Sequence, residues 1–429
     1  MIVDSLKNAW NVKDLRKKIL FTAMMFLVFR IGSHIPVPFV DHAKLKTMLG
    51  TGSLIQFFDT FSGGAFKNFT VFAMSIAPYI NASIIIQLLT VVFPKLHELS
   101  KEGAEGQKKI TQYTRYGTVL LGFIQAAGLS VGLLSNVLAI PPGAQKWPYL
   151  LLVALVLTAG TAFLMWLGEM ITERGIGNGI SLIIFAGIVS RIPDALKFIF
   201  QSVQSGQSSI LSVIALVVIA VLVITAVVFI QEGERRIPVQ YAKRVVGRKV
   251  YGGQSSHIPM KVNQAGVIPV IFAISLLAFP QQISSWMPSS GFASFVNTWF
   301  SPNGTLQSIP YELFYALLII GFTYFYTGIT FNPVDVADNI KKYGGFIPGL
   351  RPGRPTAEYI SKVLSRVTMA GAIFLALIAV LPTVVIGLTG FKNVYFGGTS
   401  LLIVVGVALE TMKQLESHLL MRHYQGFMK

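Results

Sequence analysis

The chain passes again and again through stretches of about twenty apolar residues, each the length a helix needs to cross a bilayer. Eight are clear: 19–40, 71–93, 117–138, 149–171, 209–230, 265–287, 311–331 and 367–388. Two are weaker. The stretch 180–200 carries Arg191 and Asp194 near its far end, and 399–412 is apolar for about three turns before Lys413 and Glu416 intervene. Hydrophobic residues make up 53% of the chain and charged residues only 12%, roughly half the charge of a soluble domain. Lipid must therefore be the solvent for much of this surface. The pattern predicts an all-α membrane protein with ten transmembrane helices.

The positions of the charges orient the spans. Net charge is +17, from 35 basic against 18 acidic side chains. With the N-terminus inside and ten spans, 27 of the bases fall on the inner segments and 7 on the outer ones, with Arg30 inside the first span. That asymmetry follows the positive-inside rule and predicts cytoplasmic N- and C-termini. The basic arm Lys7 to Lys18 leads straight into a full-length span with no small-residue cleavage site, so it reads as an anchor and not a signal peptide. Ten spans divide into five and five. The expected halves are 1–200 and 201–429, related by inverted topology with a functional site between them. No sequence repeat accompanies that division, which rests on span number.

Several segments suggest mechanism. Residues 54–66, within a candidate re-entrant segment of about 54–69, are apolar and aromatic but too short to cross, and Gly63 and Gly64 interrupt them. Irregular backbone at membrane depth must be enclosed by protein or line a cavity. An interfacial helix and a pore-stoppering segment fit equally well. In the second span Pro78 weakens the helix near its outer third, and Asn81, Ser83 and Gln87 sit in apolar surroundings, where amides face helices or water. Ile76 and Ile80 share a face of that span, an arrangement ordinary packing also produces. Arg30, Glu169 and Glu410 are the scarce ionisable groups of the spans. Ion-coupled carriers place acids or histidines at the midplane, which counts against that class.

Cysteine is absent, excluding disulfides and thiolate metal sites. The six histidines show no metal-binding spacing, and no cofactor is expected. The glycine-rich run Glu173-Arg-Gly-Ile-Gly-Asn-Gly179 lacks the spacing of a nucleotide site and reads as a tight turn. No phosphate-binding loop occurs, so energy for directed work must come from a partner or the membrane potential. Two basic cytoplasmic loops, about 231–263 and 332–366, are long for a compact bundle. The first has the Val, Ile and Tyr content and the Gly252-Gly253 turn of a small β-hairpin. The second is stiffened by proline and turned by glycine. Such projections exceed what orientation or contact with anionic lipid requires, and favour a docking surface.

The chain resembles the SecY family of protein translocation channels. The resemblance rests on Phe29-Arg-Ile-Gly-Ser33, Phe61-Ser-Gly-Gly64, Pro78-Tyr-Ile-Asn-Ala-Ser-Ile-Ile-Ile-Gln-Leu-Leu89 and Gln112-Tyr-Thr-Arg-Tyr-Gly117. It continues through Ile171-Thr-Glu-Arg-Gly-Ile-Gly-Asn-Gly-Ile-Ser181, Tyr241-Ala-Lys-Arg244, Ala265-Gly-Val-Ile-Pro269, Phe346-Ile-Pro-Gly-Leu-Arg-Pro-Gly353 and Tyr395-Phe-Gly-Gly-Thr-Ser400. It implies a protein-conducting channel, not an enzyme, in the bacterial plasma membrane. Unfolded preproteins would cross it and membrane segments would leave sideways. The implied plug includes Phe57, Phe58, Phe61, Gly63, Gly64 and Phe66, and the implied pore ring is Ile76, Ile80, Ile184, Ile271 and Ile403. Spans two and seven would form a lateral gate for signal sequences, with Gln87 and Asn263 as polar members. The cytoplasmic loops would dock the SecA ATPase and the ribosome through Arg235, Arg236, Lys243, Arg244 and Arg351. SecE and SecG would be the companion subunits. The main rival, an inverted-repeat secondary transporter, requires ionisable ligands at the midplane, and an intramembrane enzyme requires a catalytic dyad or metal.

Overall fold

The computed structural model describes residues 10–49, 62–134, 137–141, 143–206, 209–241, 244–246, 249–251, 255–287, 290–300, 309–389 and 398–426. The chain is mostly helical. The first half holds α1 (Lys13–Gly32), α2 (His42–Leu49), α3 (Ala77–Val92), α4 (Pro94–Lys101), α5 (Ala104–Leu133), α6 (Lys146–Arg174), α7 (Gly179–Ser190) and α8 (Ile192–Gln204). The second holds α9 (Ile210–Glu232), α10 (Ile268–Trp286), α11 (Gly291–Trp299), α12 (Ile309–Thr330), α13 (Pro333–Lys342), α14 (Arg354–Thr389) and α15 (Gly398–Gly426). Between α9 and α10 lie the strands β1 (Glu234–Tyr241), β2 (Arg244–Val246), β3 (Lys249–Tyr251) and β4 (Ser255–Lys261); β5 (Gly345–Phe346) precedes α14.

Among the described residues, four segments are each apolar and long enough to cross a membrane: α6, α9, 309–342 and the stretch 354–381 of α14. The pair α3 and α4 qualifies together, bent by 100° at Phe93. On α9 the burial is inverted, with Ile210, Leu211, Leu222 and Phe229 among its most exposed side chains. A row of exposed branched residues on a 23-residue helix is the surface that lipid solvates.

Helix boundaries differ from the expected spans where proline and glycine decide them. Pro78 does not weaken a second-span helix near its outer third. It stands in the first turn of α3, where its missing N–H is not needed, and residues 71–76 are turns. Ser75, at φ 52, marks that reversal. The fifth apolar stretch is split at Arg191, because Pro193 starts α8 afresh. The last stretch, apolar for only three turns, belongs to a continuous 29-residue helix. Within the run 173–179, residues 175–178 form the expected turn between α6 and α7: the Asn178 side chain accepts from the N–H groups of Ile180 and Ser181 and caps α7.

The halves meet on two sides. On one, α3 and α5 pack against α10; on the other, α7 packs against α15. A central apolar cluster runs through both halves, and a second lies at the α5–α6 end around Phe69, Leu134 and Leu157. Beyond the spans, β1 pairs antiparallel with β4 over seven residue pairs, and β5 adds to its other edge. The two basic loops, far apart in the chain, thus share one three-stranded sheet, ordered β4-β1-β5. It closes on α13 and α14 through Ile237, Val239, Met260, Ile340, Ile347 and Ile360.

Candidate functional site

Four helices converge on the centre. Ile76 is the N-cap of α3 and Ile80 lies one turn on; Ile184 comes from α7, Ile271 from the first turn of α10 and Ile403 from α15. All five expected ring residues are buried and belong to one contiguous apolar cluster. Every buried polar side chain among the described residues is neutral: Ser, Thr, Asn or Gln. The centre thus offers branched aliphatic carbon and no fixed charge.

Beside it sits the segment leading into α3. Phe57, Phe58 and Phe61 lie outside the described residues. Gly63 and Gly64 adopt φ of 65° and 92°, a region open to glycine. A Cβ on Gly63 would come within 2.9 Å of Ser190 Oγ and 3.1 Å of Gly187 Cα, so the backbone rests directly on α7. Phe66 is half-buried against the outer cluster, and its N–H donates to Ser62 Oγ at 3.1 Å. The Arg30 guanidinium crosses from α1 to donate to the Gly63 carbonyl at 2.9 Å. Farther along, Val37 N–H donates to Phe69 O and Val71 N–H to Ile35 O, stitching the segment to the exit of α1. On the same face Asp41 caps α2, accepting from the N–H groups of Ala43 and Lys44. The Lys44 amide bond, more than any other contact, holds the Asp41 carboxyl below its usual range.

Of the expected gate residues, Gln87 lies on α3 and Asn263 precedes α10, each bonded within its own segment. Gln87 donates to Ser83 Oγ at 3.2 Å, and Asn263 donates to Gly266 O at 2.9 Å while its own oxygen is buried without a partner. Sequence reading missed the neighbouring α5–α10 seam. There the Trp286 ring lies over Gly128 with its indole N–H buried and unpartnered, and elsewhere on α5 both amide atoms of Gln125 and the Ser130 hydroxyl are likewise buried without a partner. A glutamine in an apolar run was the available signal.

On the β4-β1-β5 sheet Arg235 and Arg236 stand exposed on β1, with Arg236 Nε 2.6 Å from Glu234 Oε1. Lys243 lies outside the described residues, and Arg244 contributes backbone to β2. Arg351 is exposed on a loop fixed at both ends. Ile347 is buried, Leu350 N–H donates to Ile347 O, and Thr356 Oγ1 donates to Arg351 O at 2.9 Å. Gly349 and Gly353 take the positive φ values, 83° and 102°, that turn the loop.

The family model for SecY matches residues 70–412. A protein translocase subunit SecY from Halalkalibacterium halodurans is 49% identical over 433 residues, covering 99% of each chain. Those of Bacillus subtilis and Thermotoga maritima are 49% and 46% identical, with 99% of this chain covered in both and 99% and 97% of theirs. Among solved structures, a protein-conducting channel superposes with a TM-score of 0.69 at 21% identity, over 94% of this chain and 92% of that one. Sec61 in a canine ribosome–channel complex does so at 0.64 and 19%, over 94% and 92%.

Proposed function

The chain belongs to the SecY family, and from that premise we infer that it is the channel subunit of a plasma-membrane protein translocase. It conducts unfolded preproteins across the bilayer and releases membrane segments laterally into it, and it is not an enzyme. The observation that carries the reading is the convergence of Ile76, Ile80, Ile184, Ile271 and Ile403, drawn from both halves, on one buried cluster without charge. An aliphatic collar gives a sliding polypeptide no hydrogen-bond partner to stick to, and when empty it can dewet and resist ions.

In the finer reading, ten spans form two inverted halves, 1–200 and 201–429, with both termini cytoplasmic. The 27-to-7 charge asymmetry supports it. The segment of about 54–69 plugs the outer side, supported by the seating of Gly63 against α7. Spans two and seven, here α3 and α10, part to open the gate, and Gln87 and Asn263 lend it polarity. The α3–α10 contact supports this assignment. The β4-β1-β5 sheet with the Arg351 loop docks SecA and the ribosome, supported by the joining of two basic loops into one rigid surface. A channel of the same fold has been seen bound to a ribosome. SecE and SecG complete the complex. Reconstitution with SecE, SecG and SecA should render a presecretory substrate protease-resistant inside proteoliposomes when ATP is supplied. Full protease sensitivity under those conditions would sink the assignment.

A further inference from the structure

Arg30 has no part in the ring, the gate or the docking surface, yet it makes a bond that ties α1 to the glycine pair. It lies in the last turn of α1, open to the surface on one side, while Nη1 donates inward to the Gly63 carbonyl, 33 residues away. The receiving backbone has little freedom. Gly63 is pressed on Gly187 and Ser190 of α7, and a Cβ on Gly64 would stand 3.5 Å from Arg191 Nη1. The farther part of the segment is held by backbone bonds, Val37 to Phe69 and Val71 to Ile35, which no side-chain change removes. The tie between the glycine pair and α1 runs through a side chain.

We propose that Arg30 is a positioning residue that seats residues 62–66, the base of the plug, in the idle channel. The inference rests on the plug reading of the preceding segment. A guanidinium suits the role because its charge stays hydrated while one N–H is spent on a carbonyl. Such a bond biases the resting position, yet water can replace it when the segment leaves.

The chain has no cysteine, so single cysteines report without background. Ser62→Cys is nearly isosteric at a site 1% exposed, and Ser130→Cys offers a second site, 0% exposed, on α5. Each is placed in the assembled complex, in vesicles with the outer face accessible, and labelled with a membrane-impermeant maleimide. Arg30→Gln should accelerate labelling at Ser62→Cys about tenfold, the loss of one hydrogen bond. Arg30→Lys should restore part of the protection, and Ser130→Cys should stay slow throughout. Unchanged labelling at Ser62→Cys, or equal acceleration at both cysteines, overturns the proposal. Idle conductance of the same preparations separates it from the reading beneath it. Faster labelling with a rise in conductance supports both; faster labelling at background conductance keeps the role of Arg30 and rejects the plug as a seal.

Discussion

Arg351 is held by neighbours within five residues on either side: Ile347 buried below it, Thr356 bonded to its carbonyl, and two glycines at positive φ. A guanidinium carried on a backbone fixed in this way can make several directed bonds to a partner, which a lysine cannot copy. Arg351→Glu should abolish ATP-driven translocation into proteoliposomes while the protein still inserts and co-purifies with SecE, and Arg351→Lys should recover only part of the activity. Normal translocation by the glutamate variant would move the docking site elsewhere. At the centre, Ile80→Ser with Ile271→Ser should raise the idle conductance of planar bilayers several-fold, because hydroxyls let water persist in the collar. Background conductance in that double variant would remove both residues from the ring. Asp41 predicts a pH response. Its carboxyl is held below the ordinary 3.8 chiefly by the Lys44 amide, so its capping bonds contribute fully above that value and are lost as pH falls through the lowered one. Hydrogen-exchange protection at α2, with rates corrected for the intrinsic pH dependence of amide exchange, should therefore be constant from neutrality to about pH 4, fall below it, and be low at all pH in Asp41→Ala. The turn-forming character of the Arg351 loop was legible in Pro-Gly-Leu-Arg-Pro-Gly. Gln125 and Trp286 were not, since a polar residue in an apolar run does not reveal which helix will cover it.

At the scale of elements, proline and glycine spacing carried more than hydropathy did. The start of α3 at Pro78 and the break before α8 at Pro193 follow from a missing N–H and a ring that clashes with the preceding turn. A hydropathy window averages over both. The polar extension of α15 was illegible for the opposite reason: residues 413–426 are too polar to read as a span, and Leu415 is buried only because Leu15 and Ile176 meet it. Close approach of backbones was also hidden. A Cβ on Gly160 of α6 would lie 2.0 Å from the carbonyl of Val71, at the start of the turns that end at Ile76. Gly160→Ala should therefore displace those turns, cost about 1–3 kcal/mol in denaturant stability and increase ion leak. Wild-type stability and conductance together would show that the turns yield without consequence. Deleting residues 54–66 tests the plug directly. Idle conductance should rise while ATP-driven translocation persists, and a deletion that leaves conductance at background contradicts the seal.

For the whole molecule, orientation is the quantity most open to test. A cysteine at Lys146 or Lys392 should react with an impermeant maleimide from outside, and one at Gly253 only from the cytoplasmic side. Outside labelling at Gly253 would overturn the ten-span topology. The sequence by itself determined the solvent and the helical class. Lipid demands satisfied backbone and tolerates charge poorly, so composition is enough to decide both. It also carried the family, through motifs spread along the chain. Only the tertiary structure decided that the two basic loops form one sheet, that five isoleucines far apart in sequence share one cluster, and that Arg30 reaches Gly63. Each is a contact between distant segments. Hydrophobic attraction has no direction, so an apolar pattern states that a face will be covered, and only the packing of specific shapes decides by what.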